Sequence, residues 1–141
     1  CLSYLTIETR GPIPEPYREA VANHVYGCDI CQEVCPYNQQ AARSADPAWQ
    51  PRAALDLPAL VELWQRSDDD LRRTLKGSAM TRARLPGLRR NLAVAIGNSG
   101  DADAIAALTI ADESRPSAED PLVEEHIRWA VTNAEPVIID P

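Results

Sequence analysis

The chain has 141 residues, of which 45% are hydrophobic and 25% are charged, and its net charge is −7. This length suits one domain or two small ones, and the apolar fraction is sufficient to bury a core, so we expect a soluble globular protein. No apolar stretch approaches the roughly 20 residues that cross a bilayer, which excludes a membrane segment.

The first 40 residues form a loop-rich segment that we expect to depend on a bound cofactor for its order. This segment holds all four cysteines, and it is rich in turn-forming residues from Tyr26 to Asn38. At most short helices are predicted, one of them over Tyr17–Asn23. The chain begins at Cys1 with neither an initiator Met nor a secretory leader, so we expect a fragment of a longer protein.

Three cysteines lie in the pattern Cys28-x2-Cys31-x3-Cys35-Pro36. This spacing is typical of the end of a ferredoxin ligand run, in which the Cys before the proline binds a second cluster. A zinc site is the competing interpretation, since four-cysteine zinc sites also use C-x2-C pairs, but Cys35 would then have to pair with Cys1 without that spacing. Thiolate and sulfide also require a reducing compartment, which predicts a cytoplasmic protein.

Residues 41–56 have no sustained periodicity and are predicted to be a linker, whereas residues 57–141 are predicted to be helical. In the helical part, apolar residues recur at i, i+3 and i+4 between clear start and stop signals. Helices are expected to start at Leu57, at Asp68 as an N-cap, near Pro86, at Asp101 as an N-cap and at Asp120-Pro121. The sequence therefore predicts about five helices and no strand.

Two stretches of the helical part resemble each other. Leu88–Asn98 superposes on Val123–Asn133 at an offset of 35 residues, matching apolar or Ala positions and the final Asn. A period of roughly 30 to 47 residues with two helices in each unit is typical of HEAT-type solenoids. We therefore predict a mainly α fold, in which a loop-rich ferredoxin-type segment precedes a HEAT-like repeat region.

A basic stripe lies within this helical part. Residues 71–98 hold seven of the 14 basic residues and no acidic one, whereas the rest of the chain holds all 21 acidic residues. Such sorting of charge indicates a localised polyanion site. The alternative is a solvated helix face that pairs with acidic neighbours. The stripe consists of Arg72, Arg73, Lys76, Arg82, Arg84, Arg89 and Arg90.

The cysteine segment and one helix resemble the epoxyqueuosine reductase family. Cys1–Glu8, Gly11–Glu15 and Val25–Asn38 are similar to the second half of that family's double-cluster region. Leu88–Asn98 is similar to its C-terminal HEAT-like region. The domains expected from this resemblance are a cluster-binding half-domain over residues 1–40, a linker over 41–56 and a tRNA-binding helical region over 57–141.

The resemblance implies two [4Fe–4S] clusters in the intact protein. Cys1, Cys28 and Cys31 would be three ligands of one cluster and Cys35 one ligand of the other, with the remaining ligands in an upstream cysteine run. An N-terminal domain, absent from this sequence, would bind cobalamin, so no catalytic residue is assigned. The clusters would pass electrons to cobalamin from a donor such as flavodoxin or ferredoxin.

The reaction that the resemblance implies is reduction of epoxyqueuosine to queuosine in the anticodon of a tRNA, by a monomeric enzyme whose basic stripe binds the tRNA. Two other functions stay open. One is an electron-transfer module of another corrinoid enzyme, such as a reductive dehalogenase relative. The other is a helical interaction module with a four-cysteine zinc site. The basic stripe and helical tail favour the tRNA enzyme, because a small substrate needs neither.

Overall fold

The computed structural model of the chain describes residues 1–40, 44–47, 55 and 59–134. These residues are mainly helical and contain no strand, which confirms the predicted helical class. The predicted helix start at Leu57 and most of the predicted linker lie outside the described residues. Within the described part, no helix has the length and apolar character needed to cross a membrane.

The described part of the chain contains six α-helices, and five of them follow residue 59, as the sequence predicts. The α-helices are α1 (Ile30–Glu33), α2 (Leu60–Gln65), α3 (Asp68–Leu75), α4 (Arg84–Gly97), α5 (Ala102–Ala106) and α6 (Pro121–Ala134). A π-helical turn covers Tyr4–Glu8, and 3₁₀ turns cover Glu15–Tyr17, Glu19–Val21, Ala79–Ala83, Ala107–Thr109 and Pro116–Glu119.

Polar side chains cap α3 and α5. Asp101 caps α5 as predicted, since its carboxylate accepts two backbone N–H groups of the first turn at 3.0 and 3.1 Å. The cap of α3 is Ser67, whose hydroxyl accepts the N–H of Asp70 at 3.1 Å. The prediction that Asp68 caps α3 is therefore wrong, because Asp68 is already helical and its side chain is buried.

The predicted helix over Tyr17–Asn23 is also wrong. Two separate 3₁₀ turns, Glu15–Tyr17 and Glu19–Val21, lie in this region. The second turn ends at Ala22, which has a φ of 49° and so cannot continue a right-handed helix. The short turns leave Val21 pointing into the core, where it is fully buried.

Helix α4 lies at the centre of the molecule. Every residue from Gly87 to Gly97 is buried, which is the expected environment of a helix covered on all sides. The main apolar cluster combines α4 with the other helices after residue 59. Its fully buried members include Trp64, Leu71, Leu92, Ala93, Ile96, Val123 and Ala130. A second cluster joins Ile13 and Val21 of the cysteine segment to Val94 of α4.

Helices α4 and α6 approach each other closely at the end of α4. A Cβ atom on Gly97 would lie 2.7 Å from the Cβ of Ala130 and 3.1 Å from the ring of Trp129, both on α6. Gly97 and Ala130 lie within the two similar stretches that the sequence pairs with each other, so these stretches form adjacent helices. Their assignment to HEAT-like repeats stays a prediction.

We expect Gly97→Ala to destabilise the protein, because neither helix can move aside without disturbing the main cluster. The loss should be about 1–3 kcal/mol in the free energy of urea unfolding. Gly87→Ala is the matched control on the same helix, since its Cβ would meet only the Cβ of Ala83 at 3.9 Å. The control should be neutral or stabilising, because Ala favours a helix over Gly. Equal stability of the two variants would contradict the close approach of α4 and α6.

Candidate metal centre and basic surface

The four cysteines lie at the start of the chain and around the short helix α1. Cys1 precedes the π-helical turn, Cys28 precedes α1, Cys31 lies within α1 and Cys35 follows it. All four are free thiols; Cys1 and Cys31 are exposed, whereas Cys28 and Cys35 are half-buried. None of them is consumed in a disulfide, so all four are available as ligands.

Hydrogen bonds hold the turn after Cys1 against the loop that leads to Cys28. The N–H of Gly27, which has a φ of 76°, donates to the hydroxyl of Thr6 at 3.0 Å. That hydroxyl donates to the carbonyl of Leu2 at 2.8 Å, and the hydroxyl of Ser3 donates to the carbonyl of Cys28 at 3.3 Å. Parts of the chain that are 25 residues apart in sequence are therefore joined at the cysteines.

The donor set fits an iron–sulfur cluster in its chemistry. Thiolates are the ligands that [4Fe–4S] clusters use, and Cys28, Cys31 and Cys35-Pro36 keep the ferredoxin spacing around a single helical turn. Among the described residues, no three His, Cys, Asp or Glu side chains form a group that could hold a metal ion. The division of the cysteines between two clusters stays a prediction.

A buried arginine of α4 binds the backbone of the cysteine segment. The Nη1 group of Arg90 donates to the carbonyls of Thr9 and Gly11 at 2.9 and 2.7 Å, and Nη2 donates to the carbonyl of Leu5 at 2.8 Å. The remaining donors reach the side-chain oxygen of Asn91 at 3.0 and 2.8 Å. All five N–H groups of the guanidinium are therefore used inside the protein.

Asn91 extends this attachment to the loop before Cys28. Its amide donates to the carbonyl of Thr6 at 2.7 Å and to the carbonyl of Val25 at 2.8 Å, while its oxygen accepts from Arg90. Arg90 and Asn91 together bind five backbone carbonyls of the first segment. We name them the α4 clamp. The clamp gives the cysteine segment a protein scaffold in addition to any cofactor.

A second attachment joins the cysteine segment to α6. The N–H of Ile13 donates to Nε2 of His126 at 3.1 Å, and Nδ1 of His126 donates to a carbonyl of its own helix at 2.7 Å. Arg18 forms an ion pair with Glu125, and its carbonyl accepts from the amide of Asn98 at 2.9 Å. His126 is thus a buried structural residue, with both ring nitrogens engaged in hydrogen bonds.

The prediction that Arg89 and Arg90 contact a polyanion is wrong. Their exposed fractions are 0% and 1%, so neither reaches the surface. Arg89 donates to the carbonyl of Trp64, to that of Arg66 at 2.6 Å and to the carboxylate of Asp68 at 3.0 Å. Burial lowers the pKa of Arg89, and the Asp68 carboxylate opposes that shift. The charge of Arg89 is compensated within the core.

Two further arginines of the stripe are paired on their own helix. Arg72 donates to Asp69 at 2.8 Å and Arg73 donates to Asp70 at 3.2 Å, both across one turn of α3. The two aspartates lie just before residue 71, so a charge count from 71 to 98 misses them although the i, i+3 spacing predicts the pairs. Lys76 lies exposed just after α3.

The two remaining arginines of the stripe, Arg82 and Arg84, differ in whether they form an ion pair. Arg82 binds the carboxylate of Glu8 through Nε at 2.6 Å and through Nη2 at 3.0 Å, which ties the π-helical turn to the turn before α4. Tyr26 adds to this tie, since its hydroxyl donates to the carbonyl of Ala79 at 2.6 Å. Arg84 is exposed and forms no ion pair with the described residues.

Parts of the chain are similar to known proteins. A family model described as a 4Fe-4S double cluster binding domain matches residues 1–38. The epoxyqueuosine reductase of Salmonella typhimurium is 42% identical over 131 residues, which cover 93% of this chain and 33% of the relative. That of Burkholderia pseudomallei is 44% identical over 147 residues, which cover 95% of this chain and 35% of the relative.

A solved structure is also similar to the chain. The crystal structure of an epoxyqueuosine reductase with a tRNA-Tyr epoxyqueuosine-modified tRNA stem loop matches with a TM-score of 0.72 and 26% identity, covering 95% of this chain and 35% of that one. The predicted resemblance to epoxyqueuosine reductases is therefore confirmed. The chain spans about a third of the length of the relatives that it matches.

The attachment through His126 predicts a dependence of stability on pH. Burial lowers the pKa of His126 from 6.5 to about 4, so the unfolded chain binds a proton in this range before the folded chain does. The free energy of unfolding should therefore fall as the pH drops from 6.5 towards 4, by at most about 1.4 kcal/mol per pH unit from this residue. Urea unfolding of the wild type and of His126→Gln across this range isolates the contribution. Parallel pH profiles would contradict a buried neutral ring.

Proposed function

We propose that this chain, a relative of the epoxyqueuosine reductases, is the iron–sulfur and tRNA-binding portion of such an enzyme. The enzyme reduces epoxyqueuosine to queuosine in a tRNA anticodon, in the cytoplasm. The observation that carries the proposal is the agreement of two matches: a double-cluster family model covers residues 1–38, and relatives of one name cover 93–95% of the chain.

In this proposal the cysteines serve two clusters. Cys1, Cys28 and Cys31 are ligands of one [4Fe–4S] cluster, and Cys35 belongs to the other, with the remaining ligands supplied by the part of the protein outside this sequence. The clusters supply one-electron transfer when bound, and the cobalamin of the intact enzyme supplies the chemistry at the reacting carbon. The residues of this chain hold the ligand loops in place through the α4 clamp.

The surface of the cysteine segment supports a contact with the rest of the enzyme. Among the described residues, six large hydrophobic side chains are exposed, and five of them lie in the first 40 residues. Val34 and Tyr37, beside Cys35, are 69% and 91% exposed. Exposed apolar side chains next to a proposed ligand favour a surface on which another part of the protein packs. We propose that the cobalamin-containing part covers it, so that the clusters lie close enough to pass electrons to cobalamin.

The tRNA-binding role also belongs to the proposal. The solved relative of this fold contains a tRNA stem loop, and the helical part of the chain presents exposed arginines. A reductive dehalogenase relative would use similar clusters without an RNA surface. The relatives named above favour the tRNA enzyme over that alternative.

The activity is tested by deleting the gene of the full-length protein and analysing its tRNA nucleosides by mass spectrometry. We expect epoxyqueuosine to accumulate and queuosine to disappear, because no other step reduces the epoxide in this proposal. A plasmid with the wild-type gene should restore queuosine. Unchanged queuosine in the deletion strain of an organism without a second such reductase would contradict the proposed function.

The cluster ligands are tested by the iron content of anaerobically purified full-length protein. The wild type should hold about eight iron atoms, and Cys31→Ser and Cys35→Ser should each lose about four, since they belong to different clusters. Glu33→Ala is the matched control, because Glu33 lies between these cysteines and its side chain is exposed. The control should keep all the iron. A wild type with about four iron atoms, or one with zinc, would contradict the assignment.

A further inference from the structure

Two exposed arginines from distant parts of the sequence line one groove. Arg10 follows the π-helical turn and Arg84 begins α4, and both border a groove of about 310 Å³. Nη1 of Arg10 donates to the carbonyl of Arg82 at 2.8 Å, and neither Arg10 nor Arg84 forms an ion pair with a described residue. These two side chains therefore keep a charge that the described part of the protein does not compensate.

The buried clamp adds a third positive charge beside the groove. Arg90 donates to the carbonyls of Thr9 and Gly11, which flank Arg10 in sequence. Burial, and to a smaller extent the neighbouring charge of Arg10, lowers the pKa of Arg90 to about 10. No described carboxylate forms an ion pair with Arg90, in contrast to Arg89, which binds Asp68. An anion in the groove would therefore meet a third positive charge that no ion pair neutralises.

One carboxylate also borders the groove. Asp120 lies at the start of α6, and its Oδ1 accepts the N–H of Leu122 at 2.9 Å, so this group is engaged in capping its own helix. The charges at the groove are thus two exposed arginines, one buried arginine and one capping aspartate. The net charge at the groove is therefore positive, although the net charge of the whole chain is −7.

The backbone of Arg84 is a separate observation. Its φ of 59° and ψ of 165° fall in a region that is essentially restricted to glycine, at a cost of about 1–3 kcal/mol for any other residue. Glycine would relieve this strain. An arginine in this position costs stability, and its exposed side chain gains no partner within the described structure in return.

We propose that Arg10 and Arg84 are the phosphate contacts of the tRNA backbone, an inference that rests on the proposed function. Of the seven residues of the basic stripe, Arg89 and Arg90 are buried and Arg72, Arg73 and Arg82 bind carboxylates. Arg10 lies outside the basic stripe, and we assign it as a phosphate contact in place of these five arginines. The planar guanidinium groups can each bind a phosphate bidentately.

RNA fits this surface better than an acidic protein partner does. The solved relative with similar fold contains a tRNA stem loop. The exposed guanidinium groups of Arg10 and Arg84, which lie on separate chain segments, can each bind one phosphate of an RNA strand.

The test uses the full-length protein and a synthetic tRNA anticodon stem loop, with affinity measured by fluorescence anisotropy over a range of salt concentrations. Arg10→Ala and Arg84→Ala should each weaken binding several-fold and reduce the slope of log affinity against log salt by about 0.7–0.9. Arg10→Lys should keep the slope. Arg128→Ala, an exposed arginine of α6 outside the groove, and Arg72→Ala, paired with Asp69, are controls that should leave the slope unchanged.

Arg84→Gly separates a binding role from a structural one. We expect a higher midpoint of thermal unfolding, because the strain is relieved, together with weaker RNA binding. Lower thermal stability, or unchanged RNA affinity, would overturn the inference. Iron content and thermal unfolding of each Ala variant establish that it is folded.

The outcomes also separate this inference from the proposed function. Wild-type protein that neither binds the stem loop nor forms queuosine overturns both. Wild-type protein that binds and reacts, with all groove variants unaltered in affinity and salt slope, overturns only the assignment of Arg10 and Arg84. If these variants slow reduction by an acidic flavodoxin and leave RNA affinity unchanged, the surface belongs to the electron donor and the inference is wrong.

Discussion

The arrangement of the cysteines depends on two buried side chains of one helix. The α4 clamp, Arg90 and Asn91, binds carbonyls from Leu5 to Gly11 and the carbonyl of Val25. Burying a charged guanidinium costs several kcal/mol unless its donors are all satisfied, and here all five are. The segment that carries the proposed ligands is therefore fixed to the most deeply buried helix. A cluster bound there would sit on a rigid support.

The same helix shows why adjacent arginines can have different roles. Arg89 faces the helices after residue 59 and is neutralised by Asp68, whereas Arg90 faces the cysteine segment and binds only carbonyl and amide oxygens. The two side chains point in directions that differ by about 100° around the helix axis. They therefore lie on different faces of α4, each of which packs against a different apolar cluster. Arg90 is not exposed, but its positive charge contributes to the electrostatic potential at the surface near Arg10.

Local sequence patterns predicted the helices after residue 59, the cap at Asp101 and the ferredoxin spacing of the cysteines, because each depends on residues close in sequence. The burial of Arg89 and Arg90 could not be predicted in this way. A charge count along the chain carries no information about which face of a helix is covered. The partners of Arg90 are up to 85 residues away, and those of Arg89 are 21 to 25 residues away. Arg10 was missed for the same reason, since only the fold brings it to Arg84. The two 3₁₀ turns before Ala22 were not predicted, because the spacing of apolar residues carries no information about a positive φ.

We propose that the cysteines of this chain serve two separate clusters on a scaffold fixed by the α4 clamp. The most direct measurement is an anaerobic crystal structure of the full-length protein with anomalous scattering at the iron edge. We expect two iron positions, one bound by Cys1, Cys28 and Cys31 and the other by Cys35, with Arg90 and Asn91 bound to the same carbonyls as here. A single metal position surrounded by all four cysteines would contradict the division into two clusters.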